Sequence, residues 1–183
     1  DIVTDSSIYF NNGEGQFQTS VTFGAGAEIL GDMNRDGLLD IVALGSVYIN
    51  EGAGQTFSMK EYTAEAIMSH AIAVADMNED MWPDIVFATT ARTSGHLQVL
   101  QNDGTVGFTA TTTYTLNGST PHLALEDISR DGRPDIVVAQ HKGPKTIYIT
   151  GAEQPVTFGS SDDYVLDVAV ADMNSDLYLD VIV

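Results

Sequence analysis

The sequence has no cysteine and only seven basic residues, against 26 acidic ones. The absence of cysteine excludes disulfide bonds and thiolate chemistry, which suits a cytosolic protein or an exported one stabilised by metal ions. The formal net charge of −19 argues against nucleic acid as a partner, because phosphate binding needs patches of lysine and arginine. The same charge argues against docking on anionic lipid.

Long hydrophobic runs are also missing. No stretch of about 18 apolar residues occurs, so the sequence predicts no segment inserted in a membrane. The chain opens on Asp1-Ile2-Val3 without an initiator methionine or a signal peptide, and we interpret it as a mature or excised segment.

One acidic motif occurs four times. The first copy is Asp32–Asp40, and the others are Asp76–Asp84, Asp127–Asp135 and Asp172–Asp180. Each copy carries oxygen-bearing side chains at its positions 1, 3, 5 and 9 and is followed at once by β-branched residues. Ca²⁺ prefers six to eight oxygen ligands, and three nearby carboxylates repel one another unless a cation lies among them. The motif therefore predicts four Ca²⁺-binding loops.

The predicted ligands are the side chains at positions 1, 3, 5 and 9 and the backbone carbonyl at position 7. They are Asp32, Asn34, Asp36, Leu38 and Asp40 in the first loop; Asp76, Asn78, Asp80, Trp82 and Asp84 in the second; Asp127, Ser129, Asp131, Arg133 and Asp135 in the third; and Asp172, Asn174, Asp176, Tyr178 and Asp180 in the fourth. An EF-hand is excluded because that loop needs a glutamate at position 12, where this chain has Ala43, Phe87, Val138 and Val183.

Position 6 distinguishes the four copies. A loop of this kind needs a positive φ there, which glycine adopts freely. Gly37 and Gly132 satisfy the requirement, whereas Met81 and Leu177 should each cost about 1 kcal/mol. Ser129 also offers a weaker oxygen than asparagine does. We therefore expect the first loop to bind most tightly and the second and fourth to bind more weakly or to differ in shape.

The acidic motif lies within a longer repeat. The predicted repeats are 1–39, 40–83, 84–134 and 135–179, with a further one starting at 180–183. A period of roughly 40 to 50 residues is typical of solenoids and propellers. Alternating apolar segments separated by Asn- and Gly-rich turns, such as Asn50-Glu51-Gly52 and Asn102-Asp103-Gly104, predict four strands per repeat and an all-β protein without helices.

These residues resemble the FG-GAP/VCBS repeats of integrin α-chain propellers and of many secreted microbial proteins. The resemblance covers essentially the whole chain, through the four copies of Asp-x-Asn/Ser-x-Asp-Gly/x-x-x-Asp. It implies a β-propeller of four-stranded antiparallel blades, Ca²⁺ in each loop and an extracellular or cell-surface location. It does not imply catalysis.

The register of such a propeller places each acidic loop between the innermost strand and the second strand of a blade. The chain then holds strands two to four of one blade, three complete blades, and strands one and two of a fifth. Residues 1–183 form either a single closed four-bladed domain or a slice of a larger propeller. We favour the slice, because both ends fall inside the repeated motif.

Two classes of function remain open. The first is a non-catalytic extracellular Ca²⁺-binding module that serves cell adhesion, carbohydrate binding or a structural role. Its partner would be a protein or a glycan, or further copies of the chain that pair through open strand edges and build a filament. The second is a scaffold or accessory part of a secreted polysaccharide-degrading enzyme, for which Asp162, Asp163 and Asp167 form an acidic cluster outside the loops. Asn117 begins a possible N-glycosylation sequon, Asn117-Gly118-Ser119.

Overall fold

Every regular element that the structure describes is a β-strand. The structure is a computed structural model, and it describes residues 1–23, 26–52, 56–63, 69–90, 95–116, 119–141, 145–148, 155–160, 165 and 167–183. No helix among these residues has the length and apolar character needed to cross a membrane. The all-β prediction is therefore confirmed.

The strands follow the repeats. In chain order they are β1 (Ile2–Val3), β2 (Ser7–Asn11), β3 (Phe17–Thr22), β4 (Ala27–Gly31), β5 (Asp40–Ala43), β6 (Ser46–Gly52), β7 (Thr56–Glu61), β8 (Ser69–Ala75), β9 (Asp84–Thr90), β10 (Gly95–Asn102), β11 (Phe108–Leu116), β12 (Ser119–Glu126), β13 (Asp135–His141), β14 (Lys145–Tyr148), β15 (Val156–Phe158), β16 (Ala169–Ala171) and β17 (Asp180–Ile182).

These strands form five sheets in which chain neighbours pair. The first sheet has the order β1-β2-β3, three four-stranded sheets comprise β4 to β7, β8 to β11 and β12 to β15, and the last sheet is β16-β17. The predicted register is thereby confirmed, because one partial sheet, three complete sheets and a final pair occur in that sequence. The ladders are antiparallel, as in the pairing of Leu125 with Ile136, so each complete sheet is an up-and-down meander.

The residues group into two compact units. The first comprises Asp1–Ala64 with Asn102–Thr109, and the second comprises Glu65–Gln101 with Ala110–Val183. In the first unit, strand β5 is buried along its whole length. A cavity of about 450 Å³ lies between the first two sheets, and apolar side chains of both, such as Val3 and Leu30, line it.

In the second unit, strand β13 is buried from both sides. Ile136 and Val138 pack into a core with Val86 and Leu97 of the preceding sheet, whereas Val137 and Ala139 pack into another core that contains Val165 and Val168. A strand covered on both faces should read as a continuous apolar run instead of an alternating one. This explains the sequence Ile-Val-Val-Ala after Asp135.

The innermost strands of this unit are neighbours as well. Strand β12 contacts both β8 and β16, which is the relation that successive propeller blades have. The last of these strands, β16, is short and begins only at Ala169. The carboxylate of Asp167 accepts the backbone amide of Val168 at 2.8 Å. Such a local bond competes with a sheet ladder and delays the start of the strand.

Candidate metal-binding loops

The acidic motifs lie where the predicted register places them. Each connects the first strand of a sheet to the second: β4 to β5, β8 to β9, β12 to β13 and β16 to β17. Paired β-strands on both sides fix the ends of each loop, so the side chains between them are held close together. The four loops are referred to below as the first to the fourth loop, with positions 1 to 9 as defined above.

The aspartate at position 1 binds two backbone amides of its own loop. Asp32 accepts the amide of Asp36 on Oδ1 and the amide of Gly37 on Oδ2, each at 3.0 Å. The equivalent aspartates in the second, third and fourth loops make the same pair of bonds. In the fourth loop the bond from the amide of Leu177 is the largest cause that lowers the pKa of Asp172, because hydrogen bonds to a carboxylate favour its charged form.

The amide of position 5 has a second acceptor, the side chain at position 3, in the first, second and fourth loops. The amide of Asp36 also donates to Oδ1 of Asn34 at 3.1 Å, and Asn78 and Asn174 repeat this bond in their loops. Side-chain oxygens from positions 1 and 3 therefore lie around one nitrogen atom. The carboxylate at position 5 accepts the amide of position 7 in every loop, at 2.8 to 2.9 Å.

The aspartate at position 9 has a different setting. Asp40, Asp84 and Asp135 are fully buried, and Oδ2 of Asp40 accepts the amide of Met33 at 2.8 Å. The second and fourth loops repeat this bond between positions 2 and 9. Burial raises the pKa of Asp40, and the bonds from Asn50 and Met33 oppose the rise only in part.

The third loop departs from this pattern at one bond. Oδ2 of Asp135 accepts the amide of Ser129 at position 3, and the amide at position 2, that of Ile128, donates instead to the carbonyl of Glu126 at 2.9 Å. The loop that carries serine at position 3 therefore has a different backbone path at its start. The sequence predicted a weaker oxygen there but not this rearrangement.

The backbone confirms the expectation for position 6. Gly37 and Gly132 have φ of 87° and 93°, and Met81 and Leu177 adopt 72° and 71° despite their side chains. Position 4 is left-handed as well, with φ between 58° and 64° at Arg35, Glu79, Arg130 and Ser175. No sequence signal marks position 4, because none of these residues is glycine or asparagine.

The carboxylates of a loop do not all converge. Among the described residues, no three His, Asp or Glu side chains are grouped closely enough to hold a metal ion. In each loop the carboxylate at position 9 binds a backbone amide at the start of the loop. The carboxylate at position 1 instead binds the amides of positions 5 and 6, and the carboxylate at position 5 binds the amide of position 7. The predicted ligand set therefore stays a prediction.

Two asparagines that the sequence identified only as turn residues support the first loop. Nδ2 of Asn50 donates to the carbonyl of Leu39 at 3.2 Å. Nδ2 of Asn102, which is 2% exposed, donates to the carbonyl of Met33 at 2.9 Å. Both also accept the amide of a glycine two residues ahead. The recurrence of asparagine at these two turns was the only sequence signal available.

The family of the chain follows from these loops and sheets. The FG-GAP-like repeat model matches residues 32–87, 76–138 and 127–183, and each match runs from one acidic loop through the next. The chain belongs to the FG-GAP-like repeat family. No curated protein and no solved structure matches it.

The FG-GAP-like assignment covers all four loops, and the other sequence candidates lie outside them. Asp162, Asp163 and Asn117 fall outside the described residues. Asp167 lies beside His122, with Nδ1 of the histidine 3.8 Å from Oδ1 of the aspartate. Asp167 is largely exposed, so this pair has no enclosed cleft around it.

Proposed function

We propose that this FG-GAP-like chain is a non-catalytic module that binds Ca²⁺ in its acidic loops and acts outside the cell. The observation that carries the proposal is the arrangement of oxygens around the position-5 amide, which recurs in the first, second and fourth loops. Carboxylate and amide oxygens gathered on one short loop are the ligands that Ca²⁺ prefers.

The donor chemistry fits such an ion. A carboxylate has about four lone-pair sites, so the backbone bonds made by Asp32 and Asp36 leave further sites for a cation. The carboxylate of position 5 also accepts the backbone amide of position 7, the residue whose carbonyl is the predicted backbone ligand. When bound, Ca²⁺ would replace repulsion between carboxylates by shared attraction to one ion.

The setting supports the same role. Repeats of this family occur in extracellular and surface proteins, where Ca²⁺ at about millimolar concentration makes weak sites useful. Ca²⁺ would stiffen each sheet at its loop and so hold the surface that binds a partner. We infer that the partner is a protein, a glycan or a further copy of the chain, in adhesion, carbohydrate binding or a structural filament.

Metal-dependent stability and luminescence test this proposal. A ligand that binds only the folded state adds about 2.7 kcal/mol per site at ~100 times its Kd, so EDTA should lower the melting temperature by many degrees. Ca²⁺ should restore it, and Mg²⁺ should restore it poorly because Mg²⁺ demands a smaller octahedral site.

Terbium supplies a readout that is specific to one loop. The single tryptophan of the chain, Trp82, occupies position 7 of the second loop, so Tb³⁺ bound there should show luminescence sensitised by tryptophan. Added Ca²⁺ should displace it, and Asp80→Asn should abolish the signal. An unchanged melting curve after chelation together with no sensitised Tb³⁺ emission would refute Ca²⁺ binding.

A further inference from the structure

Glu79, at position 4 of the second loop, reaches the third loop. Its Oε2 lies 3.2 Å from the guanidinium Nη2 of Arg133, which occupies position 7 of the third loop. Its Oε1 lies 3.8 Å from the place where a Cβ on Gly132 would stand. The carboxylate of one acidic loop therefore lies against two consecutive residues of the next.

The third and fourth loops show the same positional relationship. Arg130, at position 4 of the third loop, lies with its guanidinium carbon 5.0 Å from the centre of the ring of Tyr178, at position 7 of the fourth loop. In both cases a left-handed residue at position 4, with φ of 64° at Glu79 and 63° at Arg130, supplies the side chain. In the second and third loops, position 4 therefore contacts position 7 of the following loop.

Folding stability does not explain the ion pair well. The side chains of Arg133 and Glu79 are 43% and 51% exposed, and pairs this exposed contribute little. The place of Arg133 between two carboxylates is more informative. Glu79 of the neighbouring loop and Asp131 of the same loop both favour the positive charge of Arg133. Asp131 is one of the predicted Ca²⁺ ligands.

We propose that Glu79 is a positioning residue for the third loop, which holds the guanidinium of Arg133 away from Asp131 and so leaves that carboxylate available to a divalent cation. This inference rests on the proposed Ca²⁺ binding. Without Glu79, Arg133 pairs with Asp131 two residues away and competes with Ca²⁺ as an internal cation. The affinity of one loop is then set by a residue of another.

A double-mutant cycle read by calorimetric Ca²⁺ titration tests the inference on the full chain. Glu79→Gln should weaken the site of the third loop about five- to tenfold, which is the order of effect of one unit charge a few ångströms away at a solvated surface. The site is identified as the one that Asp131→Asn removes. In the Arg133→Gln background, Glu79→Gln should leave that site unchanged, because no guanidinium remains to be positioned.

Controls separate this effect from others. Glu14→Gln removes one exposed negative charge far along the chain from the loops and should leave the affinity of the third loop unchanged. Sensitised Tb³⁺ emission from Trp82 reports any direct effect of Glu79 on its own loop. Melting in EDTA checks that the variants remain folded, and the cycle should show little coupling there.

The outcomes distinguish this inference from the proposed function. If Glu79→Gln weakens Ca²⁺ binding at the third loop equally in the wild-type and Arg133→Gln backgrounds, the inference is overturned, because Glu79 then acts through its charge alone. No effect of Glu79→Gln on the third loop of a chain that binds Ca²⁺ would overturn it as well. A wild-type chain that binds no Ca²⁺ would refute the proposed function itself.

Discussion

The backbone amide of Asn50 donates to Oδ1 of Asp40 at 2.8 Å. Since Oδ2 of the same carboxylate accepts the amide of Met33, Asp40 joins the start of the first loop to the end of strand β6. The first sheet repeats part of this arrangement, because Oδ1 of Asp1 accepts the amide of Asn11 at 2.9 Å. The aspartate at position 9 therefore has a structural role that does not depend on a cation, and this role separates it from the aspartate at position 5.

Removal of Asp40 should destabilise the protein with and without Ca²⁺. Asp40→Ala leaves two buried amides without their acceptor, and each such group costs about 1–3 kcal/mol. Asp36→Ala lies on the exposed part of the loop, so we expect its loss to matter mainly when Ca²⁺ is present. Urea unfolding of both variants, in Ca²⁺ and in EDTA, measures the difference.

Asp40→Asn is the matched control for this comparison, because an amide oxygen can still accept one of the two backbone bonds. It should fall between the wild type and Asp40→Ala in EDTA. If Asp36→Ala destabilises the metal-free protein as much as Asp40→Ala does, the two positions do not have separate roles. Asp131→Ala, the equivalent of Asp36→Ala in the third loop, can be measured in the same way and should remove one bound Ca²⁺.

Glycine at position 81 should stabilise the second loop. Met81 holds a φ of 72° with a side chain that is 64% exposed, so Met81→Gly relieves backbone strain and loses little burial. The expected gain is about 1 kcal/mol, measured by thermal unfolding in EDTA, with tighter Tb³⁺ binding at the loop.

The reverse change in the first loop is the control. Gly37 has a φ of 87°, and a Cβ there would meet no atom within 4 Å. Gly37→Ala should therefore cost about the same amount through conformation alone. A loss of stability or of Tb³⁺ affinity in Met81→Gly would contradict the assignment of strain to position 6.

Several features of the fold were predictable because they depend on local rules. The order of partial and complete sheets follows from the phase of the acidic motif, and the left-handed backbone at positions 37 and 132 follows from glycine. What could not be predicted depends on contacts between distant residues, such as the bond from Asn102 to Met33, 69 residues apart.

The candidate site was predictable only as a set of positions. Spacing identified the acidic residues of each loop, but it could not show which amides each carboxylate binds. Asp40 binds those of Met33 and Asn50, whereas Asp32 binds those of Asp36 and Gly37. Nor could spacing show that Glu79 reaches the next loop, because that contact joins residues 54 positions apart. The proposed ligand set and the positioning role of Glu79 therefore depend on experiments with single variants.

High pH should destabilise the protein through Tyr62. Its hydroxyl donates to the carbonyl of Ala43 at 2.7 Å, its ring packs on Phe108, and burial raises its pKa from 10.0 to about 12. Because the folded value exceeds the unfolded one, the stabilising contribution is complete below pH 10 and is lost as the pH rises through 12. The loss should be roughly 1 kcal/mol near pH 11.

Tyr62→Phe isolates this group from the other tyrosines of the chain. The variant should be less stable than the wild type at about pH 8, since it lacks the bond to Ala43, and the difference should shrink by about pH 11. Urea midpoints at the two pH values give both quantities. A constant difference between the two proteins would mean that Tyr62 ionises at the same pH in both states.

Asn102, which lies in a turn distant in sequence from the first loop, should affect both the stability of the protein and Ca²⁺ binding at that loop. Its side chain donates to the carbonyl of Met33 and accepts the amide of Gly104 at 3.1 Å, so Asn102→Ala leaves buried groups unpaired and should cost about 1–3 kcal/mol. Asn102→Asp keeps the acceptor for Gly104 but directs a second oxygen at the carbonyl of Met33. A buried carboxylate beside a carbonyl is unfavourable, so we expect Asn102→Asp to be at least as destabilising at about pH 7.

The stability of these two variants should differ in its dependence on low pH. Protonation of the introduced carboxylate restores a hydrogen that can be donated to the carbonyl of Met33, so the stability of Asn102→Asp should improve relative to Asn102→Ala as the pH falls toward about 4. Both variants should also weaken Ca²⁺ binding at the first loop more than at the third, since Met33 belongs to the first loop. If the two loops lose affinity equally, Asn102 acts on the fold as a whole and not on the first loop.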